Sequence, residues 1–313
     1  MKHKHGDEVN GWLIIDKPCG MGSTAVVGKT RWLLQAKKNG HTGTLDPFAS
    51  GVLPIAFGEA TKLVPFVTEG RKEYEFVLKW GEQTSTDDIE GEVVARADKI
   101  PTHDEIIAIL PEFIGKITQV PPVYSAIKIG GQQAYKLARR GQTVEMPARQ
   151  VEIFALELLE EYADSAKFRV ECSKGTYVRT LGKDLALKLS TVGHLTALRR
   201  TKCGNFSLQH TILLDSLEKM EYVEERRKSL WPMETSLRDI AEIAVSAEDA
   251  LRLIQGQSLS PKGFEVKPSE NLVAAKLQNC LIALVRIDER KIAPVRVFNL
   301  NNVKKETKDV DYK

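Results

Sequence analysis

The 313 residues include only four cysteines, Cys19, Cys172, Cys203 and Cys280, far apart and without paired spacing. That excludes a zinc knuckle and a secreted disulfide framework, and it points to buried, reduced thiols. No apolar stretch opens the chain and none later reaches membrane-spanning length, which argues against a signal peptide and a transmembrane helix and makes a cytoplasmic location the expectation. Charge of one sign is also missing. The 45 Lys and Arg nearly balance 42 Asp and Glu, and a net +3 is too small to name nucleic acid as a partner, so any anion site has to be a local patch. There is no internal repeat. With 42% hydrophobic and 28% charged residues the composition excludes a disordered chain, and the length suggests roughly two domains.

What is present reads as an α+β protein. Gly11 to Asp16 is a short apolar run stopped by Lys17-Pro18 and a Gly-rich turn, a buried strand entering a loop. Ser23 to Ala36 has helical spacing, with Ser23 or Thr24 as its cap. Lys72 to Lys79, Gln150 to Leu159 and Lys167 to Cys172 alternate and predict half-buried strands, with Tyr74, Phe76 and Leu78 sharing a face. Helices are expected over His103–Phe113, Ala134–Arg140 and Thr180–Leu189, so the sheet should be large, mixed and mainly antiparallel, flanked by helices. Past Trp231-Pro232 a helix at Ala247–Ile254 and strands at Leu281–Ile287 and Ala293–Phe298 predict a small β-rich domain. The polar residues 301–313 read as a flexible tail.

Two stretches are dense in chemistry. In Asn39 to Gly51, glycines and a proline surround His41 and Asp46, a composition poor at regular structure and suited to presenting a side chain on a rigid loop. The simpler reading is an Asx turn before a strand. In Ser173 to Asp184, Tyr177 and Arg179 are two apart, so on a strand they would face the same way, and an inward Arg needs an anionic partner. A surface Arg at a strand end is the common alternative. Basic clusters, Lys128 with Lys136, Arg139, Arg140 and Arg149, then Arg199, Arg200 and Lys202, interleave with Tyr124 and Tyr135 and could track a phosphate backbone. No His, Cys and carboxylate set has metal-ligand spacing.

Gly43-Thr-Leu-Asp-Pro47 within Gly40 to Pro54 resembles the catalytic motif of the TruB family of tRNA pseudouridine-55 synthases. The likeness continues in order through Asp16-Lys-Pro18 and Gly20, Lys72-Glu-Tyr74, Gly81 with Thr84, Thr86, Asp88 and Gly91, Pro121 to Lys128, Gly131, Tyr135, Ala138-Arg139 and Gly141, Gly175 to Leu181, and Leu198-Arg-Arg-Thr201. Gly22-Ser23-Thr24, Ser85 and Gly130 depart from the usual pattern at flanking positions.

The resemblance implies a pseudouridine synthase fold over residues 1–236, with an RNA-gripping insertion at about 120–150, and a PUA-like RNA-binding domain over 237–300. It implies isomerisation of the T-loop uridine at position 55 of tRNA to pseudouridine, with base flipping and neither metal nor cofactor. Asp46 would be the essential carboxylate. Arg179 would hold it ionised by lowering its pKa, and Tyr74 would stack on the flipped base. His41, Tyr177, Leu198, Lys17, Pro18, Lys62 and Asp88 would surround the substrate. Lys128, Tyr135, Arg139, Arg140, Arg149, Arg199 and Arg200 would contact RNA. The expected partner is the tRNA T-stem-loop, met by a monomer without an obligate protein partner or a membrane. Because all the expected catalytic residues precede Trp231, the C-terminal segment is expected to be an appended unit. A non-catalytic tRNA chaperone, or a synthase for a different RNA, remain rival readings. The first would not need an Asp46–Arg179 pair.

Overall fold

The computed structural model describes residues 6–238, 240–264 and 272–300. The expected tail, 301–313, lies outside them. A ten-stranded sheet runs in the order Ile212–Leu213, Gly11–Lys17, Ser50–Phe57, Gly193–Cys203, Lys72–Trp80, Ser165–Cys172, Arg149–Glu161, Gly115–Gln119, with Asn39–His41 and Phe206–Ser207 paired at its sides. The pairings of Gly11–Lys17 with Ile212–Leu213 and of Ser50–Phe57 with Gly193–Cys203 are parallel, and the rest are antiparallel. The mixed, mainly antiparallel sheet read from the alternation is therefore present. Among the described residues no helix is long and apolar enough to cross a membrane.

The predicted strands extend by one or two residues, to Lys72–Trp80, Arg149–Glu161 and Ser165–Cys172. Phe76, Leu78 and Phe168 close the inner face, and Phe76 and Phe168 stack with centroids 5.3 Å apart. The helix expected over Ser23–Ala36 spans Ser23–Leu33, with Gly22 as its N-cap and no side-chain cap. Ser23 is buried in other work. Its hydroxyl donates to the Leu45 carbonyl and accepts the Leu45 N–H, both at 2.8 Å. His103–Phe113 divides into an α-helix, His103–Ile109, and a 3-10 turn, Leu110–Phe113. A reciprocal Thr102–Glu105 capping box opens it. Between Gln119 and Arg149 lie a hairpin, Lys128–Ile129 with Gln132–Gln133, and the short helix Ala134–Ala138.

One local expectation is corrected. Tyr177 and Arg179 do not share a strand face: the strand ends at Cys172, Gly175 turns the chain at φ +84°, and the helix Val178–Lys188 begins directly after Tyr177. Arg179 is the second residue of that helix and is buried.

The second sheet, Glu242–Ala244, Val273–Leu277, Cys280–Ile287 and Ile292–Val297, packs the helix Ala247–Ile254 around its own apolar cluster. Its other face does not stand apart from the large sheet. Ala274, Leu281, Leu284 and Phe298 share one buried cluster with Trp12, Ile14, Val52, Ala60 and Leu63. Lys62 donates to the Val297 carbonyl at 2.8 Å, and the Asn299 N–H to Glu59 Oε2 at 2.7 Å. The small C-terminal β domain expected from the sequence is thus present as a sheet with its own apolar cluster, and its other face packs beneath the Gly11–Lys17 and Ser50–Phe57 strands.

Phe298 is fully buried at this junction. Phe298→Ala should lower the unfolding free energy by about 3–5 kcal/mol, as deleting a core ring leaves a cavity. Urea unfolding followed by tryptophan fluorescence checks it, and a loss below about 1 kcal/mol would mean the two sheets are energetically separate.

Candidate active site

Asp46 sits between the strands Asn39–His41 and Ser50–Phe57, on a loop that no sheet ladder holds. Side chains hold it instead. Ser23 grips Leu45, as described. Lys17, fully buried, donates through Nζ to the carbonyls of Pro18 (2.9 Å), Met21 (2.6 Å) and Pro47 (3.2 Å). Arg200, 1% exposed, donates to the carbonyls of Gly43 (3.2 Å) and Val52 (2.8 Å). His41 Nδ1 accepts the Gly43 N–H at 3.2 Å, and burial lowers the imidazole's pKa, which keeps the ring neutral.

The charged centre is Arg179. Its Nε lies 2.9 Å from Asp46 Oδ2 and its Nη1 3.2 Å from Asp88 Oδ2, and it donates to the carbonyls of Thr86 and Tyr124, each at 2.8 Å. The Asp88 carboxylate is as buried as the guanidinium, whereas the Asp46 side chain keeps about a third of its surface open. Asp87 takes a positive φ of 59°, and that turn delivers Asp88 inward. Thr86 Oγ1 donates to Asp88 Oδ1 at 2.5 Å.

Beside this centre runs an open groove of about 510 Å³, lined among others by Phe48, Ile89, Glu90, Leu198 and Arg199. Burial pushes the Asp46 carboxyl above its ordinary value, outweighing Arg179, and the neighbouring Asp88 adds to the rise. Arg179 pulls the carboxyl down as expected, but a guanidinium shared between two carboxylates offsets the loss of water only in part, so the net shift is upward. The Tyr74 hydroxyl is pushed up to about 12 by burial, against the pull of Arg200. It is a neutral phenol at physiological pH.

The structure brings Asp46, Arg179 and Asp88 together and sets Leu198 on the groove. Tyr177 leads into the Arg179 helix, its backbone held by both ends of the buried Gln119 amide (3.1 and 3.4 Å), a contact with no sequence signal. Pro18 is exposed beside the loop and supplies one of the Lys17 acceptors.

Other expected contacts are elsewhere. Lys17 has no exposed surface with which to meet a substrate, and Lys62 is spent at the junction between the sheets. Arg200 is interior, so it is no RNA contact. Arg199 pairs bidentately with Asp16, at 3.0 and 2.7 Å, which neutralises its charge at the groove. Arg149 stacks on Tyr177, 4.6 Å from the ring centroid. Lys128, Arg139 and Arg140 are exposed on the insertion, Arg139 lying 5.6 Å from the half-buried Tyr135 ring.

Residues 31–178 match the family model of the TruB family pseudouridylate synthase N-terminal domain, and residues 179–238 that of the tRNA pseudouridylate synthase B C-terminal domain. The chain belongs to the TruB family. It is 45% identical over 307 residues to tRNA pseudouridine synthase B of Caulobacter vibrioides, covering 96% of this chain and 99% of that one. It is 47% identical over 302 residues to the Bradyrhizobium diazoefficiens protein of the same name, covering 95% and 88%. Among solved structures, a chain of a Cbf5–Nop10–Gar1 complex superposes with a TM-score of 0.70 at 27% identity, covering 93% of this chain and 86% of that one. This TruB-family fold thus carries its acid on a loop clamped by buried cations.

The direction of the Asp46 shift fixes a sign. A carboxyl whose folded pKa lies above the ordinary 3.8 contributes stability below that pH and loses it as pH rises through the folded value. The stability of Asp46→Asn relative to the unchanged protein should therefore increase between about pH 4 and about pH 7 in paired urea melts. A constant or shrinking difference would show that Arg179 outweighs burial.

Proposed function

We propose that the protein isomerises a uridine of tRNA to pseudouridine, and that this uridine is position 55 in the T-loop. The observation that carries the reading is the ion pair of Asp46 with the buried Arg179 beside an open groove, in a chain of the TruB family. The reaction is redox-neutral. The N1–C1′ bond breaks, the base turns, a C5–C1′ bond forms, the C5 hydrogen leaves as a proton and N1 gains one. No group donor enters, and the reading needs neither metal nor cofactor.

Within this reading the nucleotide leaves the RNA stack to reach Asp46. Tyr74 offers the aromatic face, worth about 1–3 kcal/mol per stacked base. Leu198 and Ile89 offer apolar walls on the groove. Asp46 acts as the ionised carboxylate, and Arg179 fixes its oxygens while Asp88 shares the cation's charge. Lys128, Arg139 and Arg140 on the insertion meet backbone phosphates, which position RNA without reading its sequence. The four-stranded C-terminal sheet is PUA-like in this reading, with exposed Arg286 and Arg296 on it.

Tritium release from C5-labelled uridine, in a tRNA transcript and in a T-stem-loop, tests the activity and the site together. Turnover is expected without added metal or cofactor. Asp46→Asn should abolish it while RNA affinity stays within about threefold, and Arg179→Lys, which keeps the charge but loses the planar fork, should fall by about a hundredfold. Ordinary turnover by Asp46→Asn would sink the assignment, and RNA binding without tritium release by the intact protein would favour a chaperone. The acidic limb of kcat/KM should lie above the normal carboxylate range, since only ionised Asp46 is active. Asp88→Asn, by removing a like charge, should move that limb to lower pH.

A further inference from the structure

Arg200 is one of the largest fully buried side chains of the protein, and among the described residues it forms no ion pair with a carboxylate. A buried guanidinium left to neutral partners is costly, so its retention calls for a reason. Its surroundings supply one. Across the sheet Arg200 stands opposite Tyr74 on one side and opposite Gly51 on the other. Its Nε donates to Val52, one Nη to Gly43 at the start of the Asp46 loop, and the guanidinium meets the Tyr74 hydroxyl. Gly51, at φ +102°, lets the chain pass so close that a Cβ there would fall 2.2 Å from the Arg200 carbonyl oxygen. The other ionisable groups facing the pair include Lys17, His41, Lys72, Cys172 and Cys203, none of them a carboxylate.

We propose that Arg200 is a positioning residue: its buried guanidinium ties the Tyr74 hydroxyl to the backbone on both sides of Asp46, and so sets turnover rather than RNA affinity. The inference rests on the reading of Asp46 and Tyr74 as the residues that meet the flipped base. Two consequences follow from the geometry. With the Arg200 guanidinium facing Tyr74 Oη across the ladder, the phenol hydrogen has to point elsewhere and the hydroxyl cannot swing away from the guanidinium without losing that contact. The Asp46 loop and the Tyr74 ring also move as one body, because a single planar group is bonded to both. Lysine, a point charge with no fork, would satisfy one of these partners at a time.

The test combines kinetics with a measurement that does not depend on turnover. Arg200→Lys keeps a cation, and Arg200→Gln removes it. In Arg200→Lys, kcat should fall by about a hundredfold, with the Kd for a T-stem-loop within about threefold. Adding Tyr74→Phe to Arg200→Lys should cost less than about threefold more, since both changes sever one link. Independently, 3-fluorotyrosine placed at position 74 and titrated by fluorine NMR should ionise about one pH unit higher in Arg200→Gln than in the unchanged background, because a positive neighbour favours the phenolate.

Wild-type kcat in Arg200→Lys, full multiplicativity with Tyr74→Phe, or a Kd loss with kcat unchanged would overturn the proposal. If the protein proves not to turn over uridine at all, the activity reading fails, and the fluorotyrosine titration still decides the Arg200–Tyr74 link: an unmoved titration overturns it. Failure of both variants to fold would also overturn it, since Arg200 would then be a structural residue only.

Discussion

The loop that carries Asp46 has to be rigid without being a strand, and the rest of the site depends on how that is achieved. A ladder would consume the loop's carbonyls in regular pairs and turn the carboxylate along a sheet face. Here the carbonyls of Gly43, Leu45 and Pro47 are taken by Arg200, Ser23 and Lys17 from three different parts of the chain. Three side-chain donors thus do for the loop what neighbouring strands do for the sheet, while leaving about a third of the Asp46 side chain open. The arrangement is demanding, because two of the donors are cations with no carboxylate on them, held by carbonyl dipoles in a water-poor interior.

The concentration of positive charge explains why the acid can sit there at all. Burial alone pushes Asp46 toward its neutral form, and the second carboxylate of Asp88 pushes the same way. Arg179 answers both, and Lys17 behind the loop adds a smaller pull in the same direction. The balance leaves a carboxyl that is harder to ionise than a surface aspartate and correspondingly more basic. Such a group is suited to chemistry that needs an anion poorly solvated by water, and it is less suited to a purely structural ion pair, where depressing the pKa would contribute most to stability.

Local pattern in the sequence carried much of the fold. Alternation located the Lys72–Trp80 and Ser165–Cys172 strands to within two residues, and the Gly-Thr-Leu-Asp-Pro stretch marked the loop. What it did not carry was the inside–outside fate of the long cations. The family likeness implies Lys17 and Lys62 around the substrate and Arg199 and Arg200 on RNA, yet these side chains are taken up by partners inside the protein that lie up to 235 residues away, as for Lys62 and Val297. Only the closed fold brings such pairs together. Arg179 was misassigned for a different reason. Tyr-Val-Arg alternates like a strand, and it is the Gly175 turn and the helical stretch beyond that decide for a helix start. The need of Arg179 for an anionic partner was nevertheless legible, since burial cost does not depend on which element carries the charge.

The joining of the two sheets bears on the loop as well. Trp12 on the Gly11–Lys17 strand gives its indole N–H to the Met233 carbonyl and packs against Phe206, in the same cluster that contains Phe298 and Leu284. That strand ends in Lys17, whose ammonium clamps Pro47, and its neighbour Ser50–Phe57 begins four residues after Asp46. Packing from the C-terminal sheet therefore reaches the acid through two strands and one lysine, with no C-terminal side chain among the described residues lining the groove. A close-packed interior transmits such displacements rather than absorbing them. A residue at the junction therefore influences the geometry at Asp46 to the extent that it fixes where the Gly11–Lys17 strand sits. By the same reasoning, C-terminal residues that point to solvent, such as Arg286 and Arg296, have no packed route to the acid, and their influence would have to pass through whatever they bind.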